Sequence, residues 1–467
     1  MVFSSIPFLY YFLPAVLAVY FVCPKRGRNA ALLAFSLFFY GYGEPKFLLL
    51  MGAAIIQGYV FGILTDRQQD KKRRRFAAVT SAGISLGILA FFKYAGFFAE
   101  NFRAATGLPL PALQIALPVG VSFYTFQILS YTADVYRRSI PAERNLIHFA
   151  CYVSMFPQLI AGPIVRYQDI AGELKNRSAD LEKVYAGLRR FLSGLGKKVL
   201  LADQFYGLCE IFQQSAEKPV LFCWMHAAAF ALYVYYDFSG YSDMAIGMGK
   251  MLGFTFPENF HYPFVSRSAS EFWRRWHMTL GGWFRDYVYI PLGGSRRGKL
   301  RWLRNLFVVW FLTGLWHGAA WNFVIWGLFF GILTAAEKLW YGKYLERLPR
   351  AAAGIYTFLF VTVSFVIFGS PSVRAALDSV GGLFGGGGRP FNTPEAAYYL
   401  GSFAPLLFIG VLGSTPAPKM LYEKLREKKG PGRVLRAAEP LLLTGLLLLC
   451  TAYLADESFQ PFLYFRF

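Results

Sequence analysis

Two of the five histidines in this sequence could carry out chemistry. His317 lies in Thr313-Gly-Leu-Trp-His-Gly-Ala-Ala-Trp-Asn322, inside a long apolar run, and His277 lies in the Trp-, Tyr- and Arg-rich segment from Glu271 to Gly294. An imidazole takes up or releases a proton near neutral pH, so either ring could serve proton transfer. The plainer interpretations are a core histidine bonded to a carbonyl for His317 and an interfacial anchor for His277. A titratable group inside an apolar run favours a function for His317.

Small and polar residues surround these histidines. The small residues Gly314, Gly318, Ala319 and Ala320 predict room for a substrate chain beside the ring of His317. Arginines near His277 could bind phosphate groups of a substrate or of lipids. The side chains expected to support a site are Trp316, Asn322, Asp237, Asp243, Asp286 and Arg285. For the string from Asp237 to Asp243, a helix break with Asp and Ser caps is the plainer interpretation.

No motif indicates a bound metal or cofactor. The five cysteines are scattered without metal-ligand spacing, and neither a GxSxG, a P-loop nor an HExxH motif occurs. We therefore expect no metal site, and cysteines that serve packing.

The composition indicates a membrane protein. Of the 467 residues 55% are hydrophobic and 16% are charged, against about 25% charged residues in soluble domains. Apolar runs near the ~20 residues that cross a bilayer recur along the chain. The net charge of +21 comes from short basic clusters between these runs, which is typical of cytoplasmic loops beside anionic lipids rather than of nucleic-acid binding. These features predict one all-α polytopic membrane domain over residues 1–467.

The apolar runs predict the helices that must position the histidines. The first run, Pro7–Cys23, is expected to be a retained span rather than a cleaved signal peptide. Further spans are predicted at Ala30–Tyr42, Phe47–Leu64, Ala77–Phe98, Leu117–Val135, Leu221–Tyr236, Ala351–Phe368, Gly401–Leu412 (a short one) and Pro440–Leu454. The basic clusters predict an orientation with the N-terminus and the C-terminal tail, residues 456–467, outside.

Other segments are expected to be less regular. Asn145–Tyr167 predicts a partial or re-entrant helix, Lys183–Phe212 an amphipathic surface helix, and Asp237–Phe260 a polar break with a second helical piece. Leu306–Ala336 predicts two short helices with a turn in the membrane near Gly314–Trp321. One long, tilted span is the alternative.

Taken together, these strings resemble the membrane-bound O-acyltransferase family, in the bacterial branch typified by alginate O-acetyltransferase. The resemblance covers nearly the whole chain, in MVFSSIPFLYYFLP, PQLIAGPIVRY, YYDFSGYSDMAIGMGKMLGF, PENF, FWRRWHMTLGGWFRDYVYIPLGG, GLWHGAAWNFVIWG and FLYFRF. It implies a multi-helix fold around a transmembrane tunnel, with re-entrant and amphipathic surface helices and the core motifs in residues 145–335. It also implies that His317 is the essential histidine and His277 a second one typical of this branch.

The family further implies an acyl donor and a hydroxyl acceptor on opposite sides of a bacterial cytoplasmic (inner) membrane. The donor would be acetyl-CoA or another acyl thioester, with no bound cofactor, and His317 would take the proton of the attacking hydroxyl. The acceptor would belong to an exported polysaccharide. Basic positions expected to attract the donor's phosphates are Arg296, Arg297 and Arg301, with the surface positions Arg189, Arg190, Lys197 and Lys198.

The C-terminal string Phe462-Leu-Tyr-Phe-Arg-Phe467 has two interpretations. It could be an aromatic anchor at the membrane interface. It also resembles the FxYxxF acyl-transfer motif of a small partner in teichoic-acid D-alanylation, in which case Tyr464 would relay the acyl group. A periplasmic or extracellular SGNH-type acetyltransferase partner would then place it on the polymer.

Three alternatives to polysaccharide acetylation stay open, one of which is a passive assembly scaffold for a secretion complex. Within the enzyme class, the acyl transfer could serve teichoic-acid D-alanylation or peptidoglycan. From another class, a polysaccharide or lipid-precursor transporter would equally use broken helices and buried polar residues, although the sequence shows no paired halves.

Overall fold

The computed structural model describes residues 2–108, 111, 113, 115–296 and 298–456, and these residues form helices and no strand. The α-helices are, in chain order, α1 Leu13–Val22, α2 Arg28–Gly43, α3 Leu48–Arg67, α4 Lys71–Leu89, α5 Ala95–Thr106, α6 Val121–Tyr136, α7 Leu146–Ser154, α8 Phe156–Leu159, α9 Tyr167–Lys175, α10 Leu181–Gly196, α11 Asp203–Gln214, α12 Val220–Met251, α13 Ala269–Arg275, α14 Met278–Phe284, α15 Lys299–His317, α16 Trp321–Ala336, α17 Gly342–Arg347, α18 Arg350–Gly369, α19 Val373–Leu383, α20 Pro394–Gly413, α21 Ala417–Glu427 and α22 Lys429–Asp456.

Seven helices of the described chain are long and apolar enough to cross a bilayer, and all seven overlap predicted apolar runs. They are Pro45–Arg67, Lys71–Thr106, Val220–Met251, Trp321–Arg347, Arg350–Gly369, Pro394–Gly413 and Lys429–Asp456. At a rise of about 1.5 Å per residue, even the shortest is about as long as the hydrocarbon core is thick. The prediction of an all-α multi-pass membrane protein is confirmed. The span predicted to be short at Gly401–Leu412 is part of the longer helix Pro394–Gly413. The side chain of Thr393 caps the start of this helix by accepting the main-chain N–H of Ala396.

The described residues fall into two compact units, and the single-domain organisation stays a prediction. The first unit comprises Met1–Phe191 and Ser242–Glu258. In it α3, α4 and α6 pack together, and the segment expected to be partly helical contains the two short helices α7 and α8. Arg190 binds the carboxylates of both Asp243 and Glu258, so the guanidinium expected to attract a donor is already paired.

The second unit comprises Leu192–Tyr241 and Asn259–Phe467. Its described core is aromatic: Trp273 packs edge-on against Trp310, Trp326 and Phe330, with ring centroids 4.9–5.6 Å apart. Such pairs add to the free energy gained by burying apolar area. This core supports α15, α16 and α13, the elements that carry or precede the two histidines.

The polar break predicted at Asp237 is wrong, because α12 continues without interruption from Val220 to Met251. The charge of Asp237 is compensated within the second unit, where Lys198 Nζ lies 2.8 Å from Asp237 and 2.7 Å from Asp203. Lys198 was expected at the surface, but its side chain is only 4% exposed. Burial by itself lowers the pKa of Lys198, but Asp237 and Asp203 together raise it above its ordinary value, so the ammonium stays charged and the helix need not end.

Candidate active site

His317 is the last residue of α15, and the chain turns through three residues before α16 begins at Trp321. The two helices pack closely because Gly314 and Gly327 lie at the contact. A Cβ at Gly314 would collide with the carbonyl oxygen of Phe323, and one at Gly327 with that of Trp310. The two helices and the turn between them are therefore confirmed, and the single long span is wrong. The helices are not both short, because the helical stretch Trp321–Arg347 is by itself long enough to cross a bilayer. That both ends of this pair lie on one side of the membrane stays a prediction.

Gly314 and Gly318, two of the four small residues beside His317, do not leave room for a substrate chain as we expected. A Cβ at Gly318 would collide with the ring of Phe323, and Gly314 faces the Phe323 main chain. The first turn of α16 thus fills the space beside both glycines. Their smallness serves helix packing and places His317 at the turn.

The ring of His317 is enclosed by aromatic side chains. It is 4% exposed and lies edge-on to Trp316, Trp326 and Phe368, with centroid distances of 4.9, 5.0 and 5.4 Å. Such a wall excludes water and fixes the plane of the imidazole. It also keeps the dielectric constant low, which strengthens any interaction of the ring with a polar substrate group.

His277 lies between α13 and α14 in a conformation that non-glycine residues rarely adopt, with φ +42° and ψ +52°. The main-chain oxygen of Asn259 accepts the N–H of Met278 at 2.9 Å, and the Asn259 side-chain oxygen lies 3.0 Å from His277 Nδ1. The His277 side chain is fully buried, and the ring of Phe238 meets it edge-on at 4.6 Å. A strained residue held in this way is a common feature of functional sites.

Trp316 brings the two histidines into one site. Its ring centroid is 5.9 Å from that of His277 and 4.9 Å from that of His317. All three side chains are buried within the second unit. Forty residues apart in sequence, the two imidazoles thus flank the same indole.

Asn322 supports this arrangement from the first turn of α16. Its amide nitrogen donates to the main-chain oxygen of Ser370 at 2.9 Å and to that of Phe368 at 3.4 Å. The bonds use carbonyls at the end of α18 that have no partner within the helix. They hold Phe368, which packs on His317, and so position the wall of the site.

Comparison with known proteins shows which family this chain resembles. Residues 133–369 match the model of MBOAT, the membrane-bound O-acyltransferase family. A probable alginate O-acetylase of Pseudomonas putida is 37% identical over the full length of both chains. One of Pseudomonas syringae is 40% identical, covering 88% of this chain and 82% of the relative. The chain belongs to the membrane-bound O-acyltransferase family. A more distant relative, the peptidoglycan O-acetyltransferase of Helicobacter pylori, is 32% identical, with 82% of this chain and 80% of the relative covered.

Membership of the membrane-bound O-acyltransferases makes the chain a membrane enzyme that moves an acyl group from a donor to an oxygen. The matched residues 133–369 contain His277, His317 and Asn259. The two histidines named from the sequence both lie in the matched segment, and the fold places both beside Trp316.

The remaining expected residues lie elsewhere or stay untested. Arg285 has a side chain that is 66% exposed and pairs with the adjacent Asp286 at 2.7 Å. Arg296 and Arg301 are exposed. Arg297 and Tyr464 lie outside the described residues. For these six residues, the predicted role stays a prediction.

A cavity of about 1000 Å³ in the second unit is a better candidate for binding phosphates. Five basic side chains line it: Arg267, Arg274, Arg275, Lys338 and Arg350. Two of its three carboxylates are already bonded. Glu271 pairs with Arg275 at 2.8 Å, and Glu337 accepts the main-chain N–H groups of Ala269 and Ser270. We call this space the basic cavity.

The basic cavity lies close to the site along the chain. Arg274 and Arg275 end α13, and only one residue separates Arg275 from His277. Consecutive Cα atoms are about 3.8 Å apart, so the two Cα atoms lie within about 7.6 Å. We find no ion pair for Arg274 or Arg350 among the described residues, which leaves these charges available to an anion.

The environments of two buried residues escaped the sequence interpretation. Asn259 stands in the string Pro-Glu-Asn-Phe, which was noted only as part of the resemblance. Lys198 was assigned to the surface because a lysine on an amphipathic helix is usually exposed. Two aspartates at compatible positions, Asp203 and Asp237, were the signal that could have indicated a buried lysine.

The electrostatic state of His277 follows from its burial. Its segment lies outside the candidate spans, and desolvation lowers the pKa of His277 to about 3, because no neighbouring charge compensates the imidazolium. The ring is therefore neutral at physiological pH. Among the described residues there is no group of three His, Cys, Asp or Glu side chains that could hold a metal ion.

Proposed function

We propose that this enzyme transfers an acetyl group from a cytoplasmic thioester to a hydroxyl on the path to an exported polysaccharide. The observation that carries the proposal is the buried pair of imidazoles on either side of Trp316. The names of the relatives support the acceptor class, since the two that are 37% and 40% identical to this chain are probable alginate O-acetylases.

The transfer needs one base and no redox change. A hydroxyl oxygen attacks the thioester carbonyl carbon while His317 takes the hydroxyl proton. The C–S bond then breaks, and the proton passes to the departing thiolate, giving an ester and a free thiol. Positioned general bases contribute about 10²- to 10⁴-fold, and holding both substrates beside the rings contributes through proximity. In this proposal the two substrates meet in a tunnel.

Acetyl-CoA is the proposed donor, with its phosphates in the basic cavity. Guanidinium groups bind phosphate oxygens in charge-assisted pairs, and the cavity presents Arg267, Arg274 and Arg350 together. Arg296, Arg297 and Arg301 form a second candidate surface, which suits attraction of an anion over a longer distance.

The tail supplies the proposed route to the outer side. Tyr464 would accept the acetyl group from the thioester as an aryl ester, because a phenol with a pKa near 10 is a better leaving group than a sugar hydroxyl. An SGNH-type acetyltransferase outside the membrane would then move the group to the polymer. This keeps a bulky polysaccharide out of the bilayer.

Peptidoglycan is the second acceptor that an observation favours, since the Helicobacter pylori relative carries the name of a peptidoglycan O-acetyltransferase. The two acceptors differ only after the first transfer. They therefore share the predictions for His317 and His277.

The test compares release of free thiol from acetyl-CoA by the purified enzyme with O-acetyl content of the exported polymer in cells. His317→Ala should abolish both. The matched control is His226→Phe, which replaces another histidine of the second unit that stacks on Phe212 at 4.2 Å and should retain both. Normal polymer acetylation in His317→Ala would exclude the proposal, and export lost without any change in acetylation would favour a transporter.

A further inference from the structure

Asn259 contacts the turn around His277 with both its main chain and its side chain. Its main-chain oxygen accepts the N–H of Met278 at 2.9 Å. Its side-chain oxygen lies 3.0 Å from His277 Nδ1, 2.9 Å from Thr279 Oγ1 and 3.4 Å from the Thr279 main-chain nitrogen. One buried asparagine thus holds three successive residues.

These contacts determine which nitrogen of His277 carries the proton. The main-chain N–H of Thr279 can only donate, so the Asn259 atom that faces it must be the amide oxygen. An amide oxygen only accepts, and His277 Nδ1 must therefore be the donor. A neutral imidazole has a single N–H, so Nε2 carries the lone pair.

The lone pair of Nε2 belongs to a buried atom. Nε2 is buried and has no hydrogen-bond partner among the described residues, while the ring packs against Phe238 and Trp316. A buried polar atom without a partner is costly unless a ligand or water completes it. This atom is therefore the place where a polar substrate group would bind to His277.

We propose that Asn259 is a positioning residue that holds His277 as its Nδ1–H tautomer, so that Nε2 accepts a hydrogen bond from an O–H or N–H group of a bound substrate. It follows that neutral His277 cannot donate to the thioester carbonyl oxygen or stabilise the oxyanion. The inference rests on the proposed acyl transfer for its role in turnover, but the tautomer itself does not depend on that function.

The tautomer is measured directly on the whole protein in detergent, labelled with ¹⁵N in its histidine rings. Two-bond ¹H–¹⁵N correlation spectra distinguish a protonated Nδ1 from a protonated Nε2. With five histidines in the chain, His277→Gln identifies the signals by their loss. We expect Nδ1 protonated and Nε2 unprotonated at pH 7. A protonated Nε2 would overturn the inference.

Variants of Asn259 test its effect on the ring. Asn259→Leu keeps the shape of the side chain but removes the acceptor, and should shift His277 toward the Nε2–H tautomer. Asn259→Asp keeps an oxygen in place and should restore the Nδ1–H tautomer. Thr279→Val removes another donor to the same oxygen but leaves the acceptor of Nδ1–H in place, so it should keep the Nδ1–H tautomer. An unchanged His277 spectrum in folded Asn259→Leu would contradict the assignment.

The matched control is Asn305→Leu. Asn305 is equally buried in the second unit, but its amide nitrogen binds the main-chain oxygens of Leu292 and Gly294. Its loss should lower thermal stability without changing the tautomer of His277. A change of tautomer in this variant would mean that loosened packing, not the loss of one acceptor, controls the ring.

Kinetics distinguish this inference from the proposed function. Asn259→Leu should lower kcat by roughly 10- to 100-fold, as loss of an orienting bond to a histidine ligand does in other sites, with KM for acetyl-CoA nearly unchanged. Asn259→Asp should recover part of kcat. If the tautomer shifts while kcat does not, the role in turnover fails. If the wild-type protein releases no thiol, the proposed function fails, whereas the tautomer assignment is decided by the spectra.

Discussion

Lys198 Nζ and Asp237 Oδ1 lie 2.8 Å apart, with the two side chains 4% and 0% exposed. Asp203 approaches the same ammonium at 2.7 Å. This cluster allows a carboxylate to stand in the middle of α12 and holds the π-helical segment Lys197–Ala202 against it. Gly240 contributes, since a Cβ there would lie 2.8 Å from the main-chain oxygen of Gly194.

We predict that Lys198→Met destabilises the protein. Removing one member of a buried ion pair leaves an uncompensated charge and typically costs about 3–5 kcal/mol. Thermal unfolding in detergent should show a marked decrease in the midpoint. Lys198→Met combined with Asp237→Asn should be more stable than Lys198→Met alone, and a combined effect equal to the sum of the single effects would show that the two side chains do not interact.

We predict that burial of His277 makes the protein less stable in acid. The folded-state pKa of His277 is lowered to about 3, below the unfolded value near 6.5, so the unfolded chain binds the extra proton first. The stabilisation from neutral His277 is present above about pH 6.5 and decreases by up to about 1.4 kcal/mol per pH unit as pH falls.

The measurement is the difference in thermal midpoint between pH 7 and pH 5, compared between wild type and His277→Gln. Glutamine does not titrate in this range. Its difference should therefore be the smaller one, and equal differences would exclude His277 as a source of acid sensitivity.

We predict that the basic cavity determines the apparent affinity for acetyl-CoA. Arg274→Glu and Arg350→Glu should each raise KM for acetyl-CoA, because reversed charge repels the phosphates, while kcat stays near the wild-type value. The effect should decrease at high salt, which screens exposed charges. Arg296→Glu and Arg301→Glu are the matched surface controls. A larger increase in KM for the controls would place the donor at the sequence-predicted surface instead.

We predict that Tyr464→Phe stops acetylation of the polymer but not the binding of acetyl-CoA. The substitution removes only the phenolic oxygen and keeps an aromatic ring for membrane anchoring. After incubation with labelled acetyl-CoA, mass spectrometry of the C-terminal peptide should show one acetyl group in wild type and none in Tyr464→Phe. Normal polymer acetylation by Tyr464→Phe would exclude the acyl relay and leave membrane anchoring as the role of the tail.

The sequence by itself determined the fold class and named both histidines of the candidate site. Long apolar runs must form helices in a bilayer, because no water is present to bond the main chain, and the seven candidate spans all overlap those runs. His317 and His277 could be named because a histidine within or beside an apolar segment is uncommon and the surrounding strings are specific to a family.

Only the tertiary structure decided which polar residues meet. Local sequence rules predict that the helix ends at Asp237. Asp237 nevertheless lies within a helix, because Lys198 from another helical segment compensates its charge. Gly314 and Gly318 could equally have faced a substrate or a helix, and the turn to α16 determined that they face Phe323. Asn259 is 18 residues from His277 in sequence, and no periodicity connects them. Side-chain pairing over such separations depends on how the chain packs, and composition and spacing do not encode that directly.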